Sequence, residues 1–269
     1  MLLAFSKFQG NGNDFVILDN RKKDIVLTPD SIRYLCDRHI GIGADGLILL
    51  ENWSAGDYEM LYFNADGHLA SMCGNGARCL AAYARMLGIA AEKMDFKAYD
   101  GRHRAVINKV IRDRKKYDVS VTMGDVTDFE KEGKFYFLDT GSPHYVEFVD
   151  KVAEIDVAGE GRKTRYSERF APEGTNVNFV EVSGDRIFVR TYERGVEDET
   201  LSCGTGVTAS AIASYLHTGR KGFQIHTTGG EFRVDFKVQD ETFTSVWLSG
   251  PAEMTFEGKQ IKRKSTNRP

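Results

Sequence analysis

The feature that most constrains how this chain folds is an internal repeat. Cys73-Gly74-Asn75-Gly76 opens the apolar run Ala77 to Leu87, and Cys203-Gly204-Thr205-Gly206 opens the run Val207 to Leu216. Similar segments precede each in the same order. In the first half, Gly12-Asn13-Asp14-Phe15 leads into a strand pattern and Phe63-Asn64-Ala65-Asp66-Gly67 comes shortly before Cys73. In the second, Thr175-Asn176-Val177-Asn178-Phe179 leads into a strand pattern and Tyr192-Glu193-Arg194-Gly195 comes shortly before Cys203. A unit this long is not a solenoid repeat. Two such units predict two similar lobes about a pseudo-twofold axis, with the cysteine-headed helix starts facing each other across a cleft.

Between these landmarks, short β-rich segments dominate: Phe15 to Leu18, Leu47 to Leu50, Tyr58 to Phe63, Val119 to Val121, Phe135 to Leu138, Tyr145 to Val149, Phe179 to Val182, Ile187 to Tyr192, Phe232 to Val238 and Thr244 to Leu248. Helical periodicity is confined to Asp30 to Arg38, Gly76 to Leu87, Gly206 to Leu216 and, more weakly, Arg162 to Phe170. A few helices scattered among many strands argue for an α+β fold rather than alternating βαβ units. The lysine-rich turn at Arg112 to Tyr117 is the best boundary between the halves.

At 269 residues and 41% hydrophobic content, the chain can bury a sizeable core in one large or two ordinary domains. A formal net charge of −3, with no run of five or six like charges, gives no field for nucleic acid. The N-terminal apolar stretch breaks at Ser6-Lys7, too early for a signal peptide, and no segment is long enough for a membrane span. A cytoplasmic protein is expected, in which Cys36, Cys73, Cys79 and Cys203 stay reduced.

Unpaired N–H groups at a helix start carry partial positive charge, which stabilises a thiolate and can pull a cysteine below its free pKa of about 8.5. Two thiols so placed suggest a matched pair. Removing a proton from one face of a carbon and returning one to the other needs an ionised and a protonated group facing each other. Two close thiols cannot both ionise easily, so they titrate as a unit holding one proton. The chemistry indicated is racemisation or epimerisation. Cys36 and Cys79, flanked by helical apolar residues, read instead as small buried hydrophobes. No metal is expected, because there is no Cys-x-x-Cys and the Cys73 to Cys79 interval is not a usual ligand spacing.

Taken together, Gly12-Asn13-Asp14-Phe15, Phe63-Asn64-Ala65-Asp66-Gly67, Met72-Cys73-Gly74-Asn75-Gly76-Ala77-Arg78-Cys79, Pro143-His144, Tyr192-Glu193-Arg194-Gly195 and Cys203-Gly204-Thr205-Gly206 resemble the diaminopimelate epimerase family, from about residue 5 to Gly250-Pro251-Ala252. The resemblance implies two pseudo-symmetric lobes, each a mostly antiparallel sheet wrapped around a central helix, with the site between them. The expected division is 1–116 carrying Cys73, with the segment from about 253 to 269 returning to it, and 117–252 carrying Cys203. The implied reaction interconverts LL- and meso-diaminopimelate in lysine and peptidoglycan precursor synthesis, without a cofactor.

By the same resemblance, Cys73 and Cys203 transfer the protons, and His144 and Glu193 tune them. Backbone N–H groups of Gly74, Asn75, Gly204 and Thr205 hold the reacting carboxylate, where oriented donors stabilise developing charge. Asn13, Asn64, Asn176, Glu193 and Arg194 contact the rest of the substrate, amides suiting its mixed ammonium and carboxylate ends because they both donate and accept. Two positions depart from the family pattern. Ser142 stands where well-known members carry Asn before Pro-His, and Gly46 where some carry Gln. The partners implied are a small amino-acid substrate and, as an option, a second copy of the chain. Two rivals remain at this point: a proline or hydroxyproline racemase of similar design, and a thiol redox or binding protein using Cys73 and Cys203 as a reversible disulfide.

Overall fold

The structure, a computed structural model, describes residues 2–112 and 115–261. The first half runs β1 (Leu2–Gly10), β2 (Asn13–Asp19), α1 (Pro29–Cys36), β3 (Gly46–Glu51), β4 (Tyr58–Asn64), α2 (Gly74–Met86), β5 (Lys93–Ala98), β6 (Gly101–Arg112) and β7 (Lys116–Thr122). Next come β8 (Phe129–Glu132), β9 (Phe135–Asp139), β10 (Pro143–Phe148), α3 (Val157–Arg165), β11 (Asn176–Ser183), β12 (Arg186–Glu193), β13 (Asp198–Thr200), α4 (Gly204–Thr218), β14 (Gln224–Thr227), β15 (Gly230–Gln239) and β16 (Thr242–Ile261). The α+β assignment holds, and most strand pairs are antiparallel.

The repeat is visible in the exceptions to that rule. Strands β2 and β3 pair in parallel across α1, and β4 and β5 in parallel across α2. In the second half β10 and β11 pair in parallel across α3, and β12 and β14 in parallel across α4. Each half therefore contains two helical crossovers, which parallel neighbours require and which the strand and helix pattern alone had spoken against. The topology also moves the alignment of the halves by one strand. The Asn13 strand corresponds to β10, which carries His144, and the Asn176 strand to β3, which begins at Gly46.

Helices α2 and α4 are the central elements. In α2 every residue from Gly74 to Ala84 is buried, and in α4 Val207, Ala209, Ile212 and Ala213 are inaccessible to solvent. A helix apolar on all sides must be wrapped by other structure, and strands from both ends of the chain supply it. β16 lies along β1, Leu2 to Gln9 pairing with Ile261 to Glu253, and along β7, with Gly250 opposite Val119. Residues 262–269 of the expected returning segment lie outside the described residues. So do residues 113 and 114 of the expected boundary.

The third helix spans Val157–Arg165, not Arg162 to Phe170. Asp156 sets its start by accepting from the Gly159 N–H at 3.0 Å, an N-cap that the weak periodicity concealed.

Candidate active site

Cys73 and Cys203 are the N-caps of α2 and α4, both with extended backbone, and their carbonyls accept the first helical hydrogen bonds from Ala77 and Val207 at 2.8 Å. The two helix starts abut. A methyl carbon placed on Gly204 would lie 3.6 Å from the Gly74 Cα and 3.1 Å from a Leu248 methyl. The two positive helix ends therefore lie within contact distance of each other, with the Leu248 side chain packed against both glycines.

Both cysteines line one cavity of about 250 Å³, with Asn13, Tyr62, Asn64, Asn176, Glu193 and Arg194 among its walls. It continues past Cys73, Glu193 and Arg194 into a second hollow of about 770 Å³ that reaches Arg38 and Asp45. A hollow of similar size beside β1, about 780 Å³, contains neither cysteine nor histidine, so size does not identify the site. Among the described residues no three His, Cys, Asp or Glu side chains converge as metal ligands would.

The turn that delivers Asn13 is a two-residue Asn11-Gly12 hairpin loop with φ of 54° and 84°, a combination that favours Asn and Gly. It docks on the segment before Cys203: Ser202 Oγ donates to the Asn11 carbonyl at 2.7 Å. Asn13 then donates to Asp45 at 2.6 Å through Nδ2, which leaves Oδ1 to accept from Asn75 at 3.4 Å and from the Cys73 thiol at 3.7 Å. Asp45 and Asp14 are clamped by Arg38, and Lys7 lies 2.6 Å from Asp14. Burial alone would raise the Asp14 pKa, but Arg38 and Lys7 outweigh it and hold it at about 2.

On the other side, Glu193 ends β12 and accepts from Thr200 at 2.8 Å; burial raises its pKa. Asn176 reaches the cavity wall with its amide already engaged. Its Nδ2 donates to Ser142 Oγ and the Pro143 carbonyl, each at 2.9 Å, and its Oδ1 accepts from the Arg194 backbone N–H at 2.9 Å. Ser142 also accepts from the Arg194 guanidinium at 3.4 Å. Asn64 is exposed at the mouth. Every residue singled out in the sequence is thus at or beside the cavity except His144, which is completely buried behind Thr205 and touches it at 2.9 Å.

Burial raises both thiols above their ordinary value. For Cys73 the N–H groups at the helix start pull the other way, the Glu193 charge adds to the rise, and the result is about 11. For Cys203 the Glu193 charge adds to burial, while the Thr205 hydroxyl opposes it. A substrate ammonium between the thiols would offset the carboxylate and lower both. Cys36 and Cys79 are both buried, as expected, but Cys36 also lines the larger hollow; burial pushes its thiol up to about 12.

Three residues escaped the sequence reading. Tyr62 lines both hollows, and its ring fills the space over Gly46, where a Cβ would lie 2.5 Å from it. A glutamine at 46 could not share that space. Arg78 is fully buried and, among the described residues, forms no ion pair; it donates to Asn11 Oδ1 at 2.8 Å and Asn75 Oδ1 at 3.0 Å. Asn178 is fully buried beside His144. An asparagine two residues after Asn176 on the same face of a strand was the available signal.

The family model described as Diaminopimelate epimerase matches residues 5–128 and 136–255. The diaminopimelate epimerase of Flavobacterium psychrophilum is 46% identical over 259 residues, covering 93% of this chain and 97% of that protein. That of Aquifex aeolicus is 41% identical, covering 96% and 97%. Among solved structures, a Bacillus anthracis phenazine biosynthesis protein of the PhzF family superposes with a TM-score of 0.76 at 12% identity, covering 97% of this chain and all of that one. A hydroxyproline epimerase from Agrobacterium vitis gives 0.70 at 14%, covering 96% and 92%. Those two likenesses are of fold alone. Two matched halves and full-length relatives near half identity make the assignment direct: this chain belongs to the diaminopimelate epimerase family.

Proposed function

We propose that this chain interconverts LL- and meso-diaminopimelate for lysine and peptidoglycan precursor synthesis, with Cys73 and Cys203 as the two proton-transfer groups. The observation that carries the reading is that both thiols cap abutting helices and line one cavity. The pair shares one proton, so one sulfur removes the Cα proton while the other delivers a proton to the opposite face. Charge developing on the adjacent carboxylate meets the N–H groups of Gly74, Asn75, Gly204 and Thr205, fixed in place before reaction begins.

Glu193 takes the reacting ammonium, and Asn13, Asn64 and Arg194 hold the remaining polar ends. Asn176 works at one remove by holding the Arg194 backbone, with Ser142 completing that contact. The divided cavity favours a long, doubly zwitterionic substrate over proline. No pyridoxal phosphate, metal or flavin enters this scheme, since thiols and helix ends supply acid, base and charge stabilisation. Full activity of chelated, colourless protein is the expected result.

Among the described residues no helix is long and apolar enough to cross a membrane; the reading places the enzyme in the cytoplasm, where its thiols remain reduced. A homodimer is its proposed assembly, which sedimentation would test. The division into 1–116, with the segment from about 253, and 117–252 draws support from β16 returning to β1, with β7 at the seam between β6 and β16.

The decisive test is incubation in deuterated water without oxidant or reductant. Label should enter Cα of both diaminopimelate isomers. Equal kcat/KM for proline, or no label in any amino acid, would overturn the reading.

A further inference from the structure

The hydrogen bonds behind Cys203 have a direction that the surroundings determine. Asn178 Nδ2 lies 3.0 Å from the Tyr145 carbonyl oxygen, which can only accept, and Asn178 Oδ1 accepts from the Thr191 hydroxyl at 2.9 Å. The amide orientation is therefore fixed, and its NH₂ faces His144 Nδ1 at 3.1 Å. A nitrogen that accepts there cannot carry a proton, so neutral His144 must be protonated on Nε2. Nε2–H points at Thr205 Oγ1, 2.9 Å away. With that oxygen receiving, its own proton is free to point at the Cys203 sulfur at 3.3 Å. Gly206 leaves room for the arrangement, since a Cβ there would lie 2.4 Å from Asn178 Oδ1.

Both sulfurs meet N–H groups of their own helix start, Gly76 and Asn75 at Cys73 and Gly206 at Cys203, and they differ in the side chain beside them. The side-chain neighbour of Cys73 is Asn13 Oδ1, an acceptor whose orientation is fixed because the same amide donates to Asp45. A carbonyl oxygen welcomes an S–H and repels a thiolate; a hydroxyl proton does the reverse. Of the charged groups, Glu193 raises both sulfurs, Arg78 lowers Cys73, and an ionised Cys73 would raise Cys203. Arg194 acts on His144 together with burial, and both keep the imidazole neutral.

We propose that Asn178 is a positioning residue which, by fixing the tautomer of His144, aims the Thr205 hydroxyl proton at Cys203 and so eases the ionisation of that thiol. This rests on reading the two cysteines as one acid–base pair. Asn178 touches neither sulfur. It acts on Cys203 only through His144 and Thr205.

The test reads protonation directly and needs no turnover, so it stays interpretable if the epimerase reading fails. Ring ¹⁵N shifts of His144 in the intact chain should show the Nε2–H form. With ¹³Cβ-labelled cysteine, the Cys203 and Cys73 midpoints are read separately. Thr205→Val, which keeps shape but removes the proton, should raise the Cys203 midpoint by about one pH unit, a tenfold loss of thiolate. Thr205→Ser should restore it. Asn178→Leu removes the donor that holds His144 Nδ1 unprotonated, and should shift the ¹⁵N pattern and raise the Cys203 midpoint together. An Nδ1–H tautomer in the wild type, or a Thr205→Val midpoint for Cys203 equal to wild type, overturns the proposal. Should Asn178→Leu fail to fold, the wild-type spectra and the two Thr205 variants decide alone.

Discussion

Asn75 Nδ2 donates to Ser202 across the junction of the two halves, 3.2 Å from its hydroxyl and 3.4 Å from its carbonyl oxygen. The first turn of α2 is thereby tied to the residue immediately before Cys203. Asn75 is 1% exposed, and its Oδ1 is occupied by the Arg78 guanidinium, so the contact is locked from behind. It fixes the spacing between the two cysteine-headed helix starts.

Asn75→Ala should therefore misplace the thiols relative to each other while leaving both present. Displacements of about 1 Å in a reacting pair cost on the order of 10²-fold, and kcat/KM is expected to fall by about that much. Stability should drop by about 1–3 kcal/mol, because Arg78 and Ser202 lose a buried partner. Steady-state kinetics and urea unfolding check both. An Asn75→Ala enzyme within twofold of wild type would show that the tie does not set the geometry.

Cys73→Ala and Cys203→Ala should each abolish solvent-deuterium incorporation, and serine at either position should fail at neutral pH because a hydroxyl is a far weaker acid. Cys36→Ala and Cys79→Ala should retain most activity. Cys79 is inaccessible to solvent in the core, so its loss should appear in stability instead. A Cys203→Ala enzyme within tenfold of wild type contradicts the two-thiol scheme.

Mild oxidant should inactivate and dithiothreitol should reverse the loss, since thiols close enough to share one substrate carbon can bond when the cleft is empty. Saturating substrate should protect by lying between them. Peptide mapping is expected to find Cys73 linked to Cys203. A link from either to Cys36 or Cys79, or no protection by substrate, would separate the thiols that the cavity brings together.

What was legible beforehand was whatever local chemistry announces. Cys73 and Cys203 stood out because a thiol followed by glycines opens an apolar run, and α1, α2 and α4 appear within a few residues of their expected bounds. Strands with polar alternation were missed. β6, Gly-Arg-His-Arg-Ala-Val-Ile-Asn-Lys-Val-Ile-Arg, carries charges on its exposed face, and β1 and β5 are similarly mixed. Nothing local marks the chain from Asn178 through His144 to Thr205, because its members come from β11, β10 and α4 and meet only through parallel register, His144 opposite Asn176. Register also decides which strands of the repeat correspond. That is why aligning Asn13 with Asn176 by residue type put them one strand out of phase.

Acid should destabilise the fold through His144. Burial, then the Arg194 charge, depresses its pKa to about 3, below the unfolded value of 6.5. As pH falls below 6.5 the unfolded chain takes up a proton that the folded chain refuses, so stability present above that pH is progressively lost toward about 3. Between pH 6.5 and 5 the loss amounts to about 2 kcal/mol. Asp14, held at about 2 against 3.8 unfolded, adds its own loss only below pH 3.8. His103 works in the opposite sense: although burial opposes it, Asp100 at 3.2 Å raises its pKa, which stabilises at low pH and fades as pH rises. The comparison that isolates His144 is wild type against His144→Gln, unfolded in urea at about pH 7, 6 and 5. The wild type should lose stability more steeply over that range, and parallel curves would mean that His144 is not held neutral.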